Sequence, residues 1–191
     1  MNEGHLKFLA SPEWARMLET DLLPWLLGVA DLGDDVLEVG PGPGLTTDLL
    51  RERTARITAV EVDPSLAAAL AERLSGTNVE VIHCDATDTG LPSDRFSAAT
   101  CFSMLHHIAR PDLQDRLFAE LCRVLQPGGV FVGTDSRDLD TIRAAHVDDV
   151  FTPVDPDTLA SRLEAVGFDN VEIEIGDYQI RFKATRGADT M

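Results

Sequence analysis

Basic residues are scarce in this chain. Sixteen Lys and Arg, of which only Lys7 and Lys183 are lysines, face 33 Asp and Glu, giving a formal net charge of -17. Such a surface repels nucleic acid and anionic lipid, and no local run of Lys and Arg offsets it. Cysteine is equally sparse. Cys84, Cys101 and Cys122 are widely spaced and include no C-x-x-C, so neither a disulfide framework nor a zinc site is indicated. Met1 to Phe8 contains Glu3 and lacks a basic n-region followed by an apolar core, so no signal peptide is expected and the cytoplasm is the default location. Long apolar runs are also missing, since Leu22 to Ala30 is nine residues broken by Pro24, too short to span a bilayer.

What remains is an ordinary soluble composition, 44% apolar and 26% charged over 191 residues, which suits one domain with a sizeable core. Ser11-Pro12-Glu13 reads as an N-cap with proline at the first helical position, followed by Trp14, Met17, Leu18, Leu22 and Leu26 at helical spacing. Strands are then expected at Val36–Val39, Arg56–Glu61, Val79–His83, Arg95–Phe102 and Gly129–Thr134. Helices are expected between them at Leu45–Arg53, Pro64–Leu74 and Pro111–Leu125. Asp138–Asp149 is ambiguous. Asp157–Val166 reads as a helix closed by Gly167, and Phe168–Ile175 and Tyr178–Thr185 as a hairpin joined by Gly176-Asp177. Alternation of strand and helix predicts a doubly wound α/β fold with right-handed crossovers.

The most informative segment is Val36 to Gly44, Val-Leu-Glu-Val-Gly-Pro-Gly-Pro-Gly. A carboxylate at a buried strand end needs water or a partner, so Glu38 should border a site. Gly40, Gly42 and Gly44 permit a sharp turn and close approach of a ligand. A dinucleotide fingerprint would require Gly or Ala where Leu45 stands, and a Walker loop would require Gly-Lys-Ser/Thr. Pro41 and Pro43 moreover remove two N–H donors of the kind that cradle phosphate. A close-approach loop that avoids phosphate is the result.

With these elements in order, the chain resembles the class I S-adenosylmethionine-dependent methyltransferases over roughly Val36 to Thr185. Glu38 to Gly44 matches the acidic-x-Gly-x-Gly-x-Gly first motif. Val60-Glu61 resembles the acidic end of the second strand, Cys84-Asp85-Ala86 the adenine segment (more often Gly at the Cys84 position), Phe102 to His107 the end of strand four, and Leu125 to Gly129 the turn into strand five. Phe96-Ser97 replaces the usual Phe-Asp. The resemblance implies a seven-stranded, mostly parallel sheet with a reversed last strand. It also implies an N-terminal helical lid over 1–35, a binding domain over 36–185 and a tail over 186–191.

For the site, the resemblance implies S-adenosylmethionine held by Glu38, Gly40, Gly42, Gly44, Glu61, Val62, Asp85, Ala86 and Ser103, with S-adenosylhomocysteine as product. Glu61 would accept hydrogen bonds from both ribose hydroxyls, and Asp85 one from the adenine amino group, with the Ala86 N–H as a donor to the ring. Glu38 would favour the cofactor's ammonium. His106 or His107 is the candidate base, because histidine titrates near neutrality, although a loop histidine is more often a cap or packing group. No metal ligand set is read. The expected partner is a small-molecule methyl acceptor, with no nucleic acid and no membrane. The competing readings are a cofactor-binding module without turnover, an aminopropyl transferase of similar fold, and a dehydrogenase.

Overall fold

The structure, a computed structural model, describes residues 3–188. Residues 189–191 of the expected tail, and Met1 and Asn2 of the expected N-terminal segment, lie outside the described residues. The strands are β1 (Asp35–Val39), β2 (Arg56–Glu61), β3 (Val79–His83), β4 (Phe96–Phe102), β5 (Leu125–Ser136), β6 (Phe168–Ile175) and β7 (Gln179–Arg186). They form one seven-stranded sheet in the order β3-β2-β1-β4-β5-β7-β6. β1 to β5 are parallel, and β7 inserts antiparallel between β5 and β6. The doubly wound sheet with a reversed last strand is therefore as expected.

The chain leaves β1 toward β2 and β3, then crosses back to place β4 on the other side of β1. Loops after β1 and β4 thus diverge, and a crevice opens at the carboxyl ends of the strands. Hydrogen bonding runs past the strand ends there. Gly40 N–H donates to the Val60 carbonyl at 2.9 Å, Cys84 N–H to Glu61 at 3.1 Å, and Ser103 N–H to Thr134 at 2.8 Å. These bonds fix the first residue of each crevice loop to its neighbouring strand.

Helices cover both faces. On one, α6 (Pro111–Val124) and α8 (Pro156–Ala165) bury Leu117, Phe118, Leu121, Leu159 and Leu163 against Phe96, Phe131, Phe168 and Phe182. On the other, Leu26, Leu50, Val36, Ile57 and Ala98 form a second layer with α3 (Leu23–Val29) and α4 (Leu45–Leu50). Helix α5 (Pro64–Arg73) begins on an Asp63 cap, whose Oδ1 accepts from the Ser65 and Leu66 N–H groups.

Three details differ from the sequence expectations. The N-terminal helix is cut into α2 (Pro12–Met17), a π turn (Leu18–Leu22) and α3. Pro24 has no N–H to continue the ladder, and the wider turn just before it absorbs the loss. The Ser11 cap is present, its Oγ accepting from Trp14 N–H at 3.2 Å. Two further short helices are α1 (Glu3–Leu9), ahead of the Ser11 cap where the helical spacing begins, and α7 (Asp140–Ala145), in the stretch of ambiguous pattern. β5 starts at Leu125 rather than Gly129, because Leu125 pairs with Phe96 before the register shifts. Among the described residues no helix is long and apolar enough to cross a membrane.

Phe131 is fully buried and packs on Phe118, Phe168 and Phe182, with ring centroids 6.1, 5.7 and 5.1 Å away. Phe131→Ala is expected to cost about 3–5 kcal/mol, read as a lowered urea midpoint with little change in slope.

Candidate active site

The glycine loop is held from within. Gly40 and Gly42 take φ of 66° and 53°, conformations that glycine adopts without strain. A Cβ on Gly40 would meet Met104 Cγ at 2.4 Å, whereas one on Gly42 would enter open space. The backbone at Gly42 therefore lies bare to a ligand. All three glycine N–H groups are engaged inside the protein: Gly40 with Val60, Gly42 with Glu61 Oε2 at 3.1 Å, and Gly44 with the Pro41 carbonyl at 2.9 Å. Since Pro41 and Pro43 have none, the loop from Gly40 to Gly44 aims no N–H at an anion. From behind, Arg73 donates to the Pro43 and Gly44 carbonyls at 3.1 and 3.2 Å and to Asp48 at 2.6 Å.

Glu38 sits beneath this loop, 1% exposed. Its Oε1 accepts from Thr46 Oγ1 at 2.5 Å, while Oε2 meets no hydrogen-bond donor among the described residues. Burial pushes its carboxyl up from 4.5 to about 7, opposed by the Thr46 hydroxyl and aided by the nearby Asp48 and Glu61 charges. A cation in the crevice would offset that cost. Glu38 and Gly44 do not themselves line the cavity, and both act through the loop's shape and potential.

Glu61 closes β2 and is mostly buried. Besides Gly42 N–H, its other oxygen accepts Asp63 N–H at 2.9 Å, and each carboxylate oxygen keeps further acceptor capacity toward the cavity. Val62, largely exposed, forms part of the mouth. Asp85 turns the chain after β3 by accepting Thr87 N–H at 2.8 Å. That loop is anchored by a residue not anticipated from sequence. Glu120 on α6 accepts from Thr89 N–H and Oγ1 at 2.9 and 2.5 Å and pairs with Arg123 at 2.7 Å. Arg123 and the Thr89 bonds hold the Glu120 carboxyl down to about 2, against the effect of burial.

These segments enclose a cavity of about 550 Å³ at the carboxyl ends of β1, β2, β3 and β4. Gly40, Gly42, Glu61, Val62, Asp85, Ala86 and Ser103 all line it, so seven of the nine expected cofactor positions converge there. Leu6, Leu9 and Trp14 add a wall from the N-terminal helices, and Ile108, Ala109, Leu113, Asp149 and Val150 form the far end. Ser103 holds a left-handed φ of 53°, unusual outside glycine, where β4 turns into the site.

The two candidate histidines divide. His107 lines the cavity, with Nδ1 3.7 Å from Asp149 Oδ1. His106 does not reach it, which corrects the expectation that either could contact an acceptor. Its ring is fully buried and held by Asp135, Nδ1 to Oδ1 at 2.7 Å. His146, from the segment that sequence left ambiguous, packs against both rings at centroid distances of 5.0 and 5.5 Å.

Two carboxylates give opposite dependences of stability on pH. Glu120 is depressed, so its contribution, reduced by solvent screening to about 2 kcal/mol, is present above pH 4.5 and lost as pH falls toward 2. Glu38 is raised, so the folded state holds a proton that the unfolded chain releases. Stability relative to Glu38→Gln should fall by about 3 kcal/mol between pH 4.5 and 7 and then level off. Urea unfolding of the wild type, Glu120→Gln and Glu38→Gln across this range measures both.

A methyltransferase-domain family matches residues 36–129. The chain is 44% identical over 63 residues to an rRNA adenine N-6-methyltransferase of Saccharopolyspora erythraea, covering 32% of this chain and 16% of that protein. It is 33% identical over 110 residues to a ubiquinone biosynthesis O-methyltransferase of Pseudomonas fluorescens, covering 55% of this chain and 46% of that one. In both cases the chain spans less than half of the relative's length. Among solved structures, a SAM-dependent methyltransferase from Aquifex aeolicus has a TM-score of 0.75 at 20% identity over 97% of this chain and 99% of that one. A putative methyltransferase from Bacillus halodurans gives 0.68 at 17% identity over 88% and 100%. Motifs, strand order and family match agree: residues 36–129 belong to a methyltransferase-domain family, carried on the strand order of the class I S-adenosylmethionine-dependent methyltransferase fold.

Proposed function

We propose that this chain moves the methyl group of S-adenosylmethionine to a small-molecule acceptor and releases S-adenosylhomocysteine. The observation that carries the acceptor class is the cavity wall: among its described lining residues are Glu61, Asp63, Asp85 and Asp149 but no lysine or arginine. An acidic wall suits a sulfonium and an ammonium, and it offers nothing to the phosphates that dominate RNA binding. The relatives named for rRNA methylation align over short stretches only, 63 residues in the Saccharopolyspora erythraea case.

In this reading Glu61 holds the ribose, Asp85 and Ala86 the adenine, and the bare backbone at Gly42 the methionyl chain, with Glu38 supplying negative potential from below. The N-terminal segment, through Leu6, Leu9 and Trp14, forms a lid. The acceptor enters beside His107. Transfer is an in-line displacement: the acceptor's lone pair forms the new bond to carbon as the carbon–sulfur pair returns to sulfur, leaving a neutral thioether. Holding the two atoms about 3–3.5 Å apart supplies most of the acceleration. Of the paired histidines His107 lines the cavity, which supports it as the one that exchanges a proton with the acceptor.

Calorimetry is expected to show binding of S-adenosylmethionine and S-adenosylhomocysteine but not NAD, with Glu61→Ala weakening it at least about tenfold through lost charged hydrogen bonds. Wild-type affinity should rise with pH up to about 7, where Glu38 becomes ionised, and then level off, with the dependence gone in Glu38→Gln. In an acceptor screen, S-adenosylhomocysteine should accumulate with a small molecule and not with rRNA. Turnover on rRNA alone would overturn the acceptor class, and cofactor binding with no acceptor turned over would leave a binding module.

A further inference from the structure

His106, His107 and His146 form, among the described residues, a group whose ligand nitrogens all lie within 4.8 Å of one another. They come from two segments 39 positions apart, and tertiary hydrogen bonds bring them together. The Thr152 N–H donates to the His106 carbonyl at 2.7 Å, and Gln114 Nε2 bridges the Leu105 and Thr152 carbonyls at 3.1 and 2.9 Å. The cluster is preorganised by backbone rather than by chance rotamers.

We infer that these three histidines bind one divalent transition-metal ion of the zinc class at the acceptor end of the cavity. The reading rests on the proposed function only for what the ion does, since the site itself is built from geometry. Two ring tautomers are set by their partners. His146 Nδ1 is 2.8 Å from the Ile142 carbonyl, which can only accept, so the proton is on Nδ1 and the lone pair on Nε2. His106 Nδ1 likewise faces the Asp135 carboxylate. A carboxylate or carbonyl on the distal nitrogen is the usual support of a metal-binding imidazole, because it orients the ring and raises its basicity. Asp149, 3.7 Å from His107 Nδ1, stands ready for the same role on the third ring.

Charge balance agrees. The Asp135 side chain is 0% exposed and that of Asp149 4%, so two carboxylates stand in a low-dielectric pocket beside the rings, a setting that favours a cation bound there. Phe151 packs on His106 and His146 with ring centroids 5.5 and 4.5 Å away. His107, on the cavity side, leaves an open direction toward the acceptor. A tetrahedral ion about 2.1 Å from each nitrogen draws them to about 3.4 Å apart, so the longest edge closes by up to about 1.4 Å, shared among three rings. Such an ion would favour an acceptor oxygen, which it can bind as the anion with the proton released to water, over an ammonium, which it repels. His107 then serves as a ligand instead of exchanging a proton, and the two roles are mutually exclusive.

The test is equilibrium dialysis of the full chain against Zn2+ with metal analysis, and titration with Co2+ followed by visible absorption. The expected result is one ion per chain, with the intense Co2+ bands of a four- or five-coordinate site. His146→Ala should lose at least about 100-fold in affinity, and Asp149→Asn about 10–100-fold. Circular dichroism and S-adenosylmethionine calorimetry on the same samples check the fold, and Asp149→Asn carries the test if His146→Ala unfolds. Substoichiometric metal, or wild-type affinity in both variants, would overturn the site. Cofactor binding without metal refutes this inference alone, whereas metal binding without cofactor binding refutes the proposed function alone.

Discussion

The Glu61 carboxylate is the interaction on which the site depends. It stands at the end of β2, beside β1 in parallel register, with Val39 opposite Val60. One oxygen takes Gly42 N–H, 19 residues back in the chain, and the other takes Asp63 N–H. These bonds turn the Gly42 donor inward, away from the cavity that Glu61 lines. A charged acceptor with two backbone donors is stable in a buried setting that would otherwise penalise it. The same residue thereby shapes the loop and presents its remaining lone pairs to a ligand. Selection for a cation follows from where the N–H groups already point.

Where the few arginines go extends this point. Arg73 braces the glycine loop from outside, Arg123 pairs with Glu120 under the β3–β4 connection, and Arg95 donates to Asp35 and Thr58 at 3.3 and 2.9 Å near the opposite end of the sheet. None is left to line the cavity. Surface ion pairs contribute little individually, but the Arg73 and Arg123 guanidinium groups also bond main-chain carbonyls, those of Pro43 and Gly44 in the first case and Leu91 in the second. Their function is geometric. Arg73 and Arg123 hold loops in place from outside, and the cavity wall between those loops is acidic.

Sequence made the sheet and the glycine-loop side of the cavity legible because each depends on local pattern. β1, β2 and β3 carry their own apolar runs, and Gly40, Glu61 and Asp85 follow directly at strand ends, where parallel topology sends them to one crevice. Ser97 shows the limit of motif matching. Its hydroxyl donates to the Leu32 carbonyl at 2.7 Å and accepts Asp35 N–H at 3.1 Å, so it holds the turn into β1 where the family more often has aspartate. What sequence did not disclose comes from distant segments. Glu120 sits on an amphipathic helix and reads as solvated surface until Thr89 is folded over it. His146 and Asp149 lie in a stretch without clear period, and α1 has too little pattern to announce itself. His106 and His107 look equivalent in a run, yet one turn of 3₁₀ helix buries the first and opens the second.

The two ends of the cavity are linked by the turn after β4. Met104, next to the strained Ser103, packs so closely on Gly40 that a Cβ there would meet its Cγ at 2.4 Å. The following residues, Leu105 to His107, carry the histidine pair. On the neighbouring strand, Phe102 pairs with Thr134, which places Asp135 opposite the start of that turn and within reach of His106. Strand register therefore sets the histidine cluster, and the Met104 contact sets the distance from that cluster to the glycine loop. Packed interiors resist small displacements, so a shift on either side must be answered on the other. The spacing between the glycine loop and the histidine cluster is in this way built into the pairing of β1, β4 and β5 rather than left to side chains at the surface.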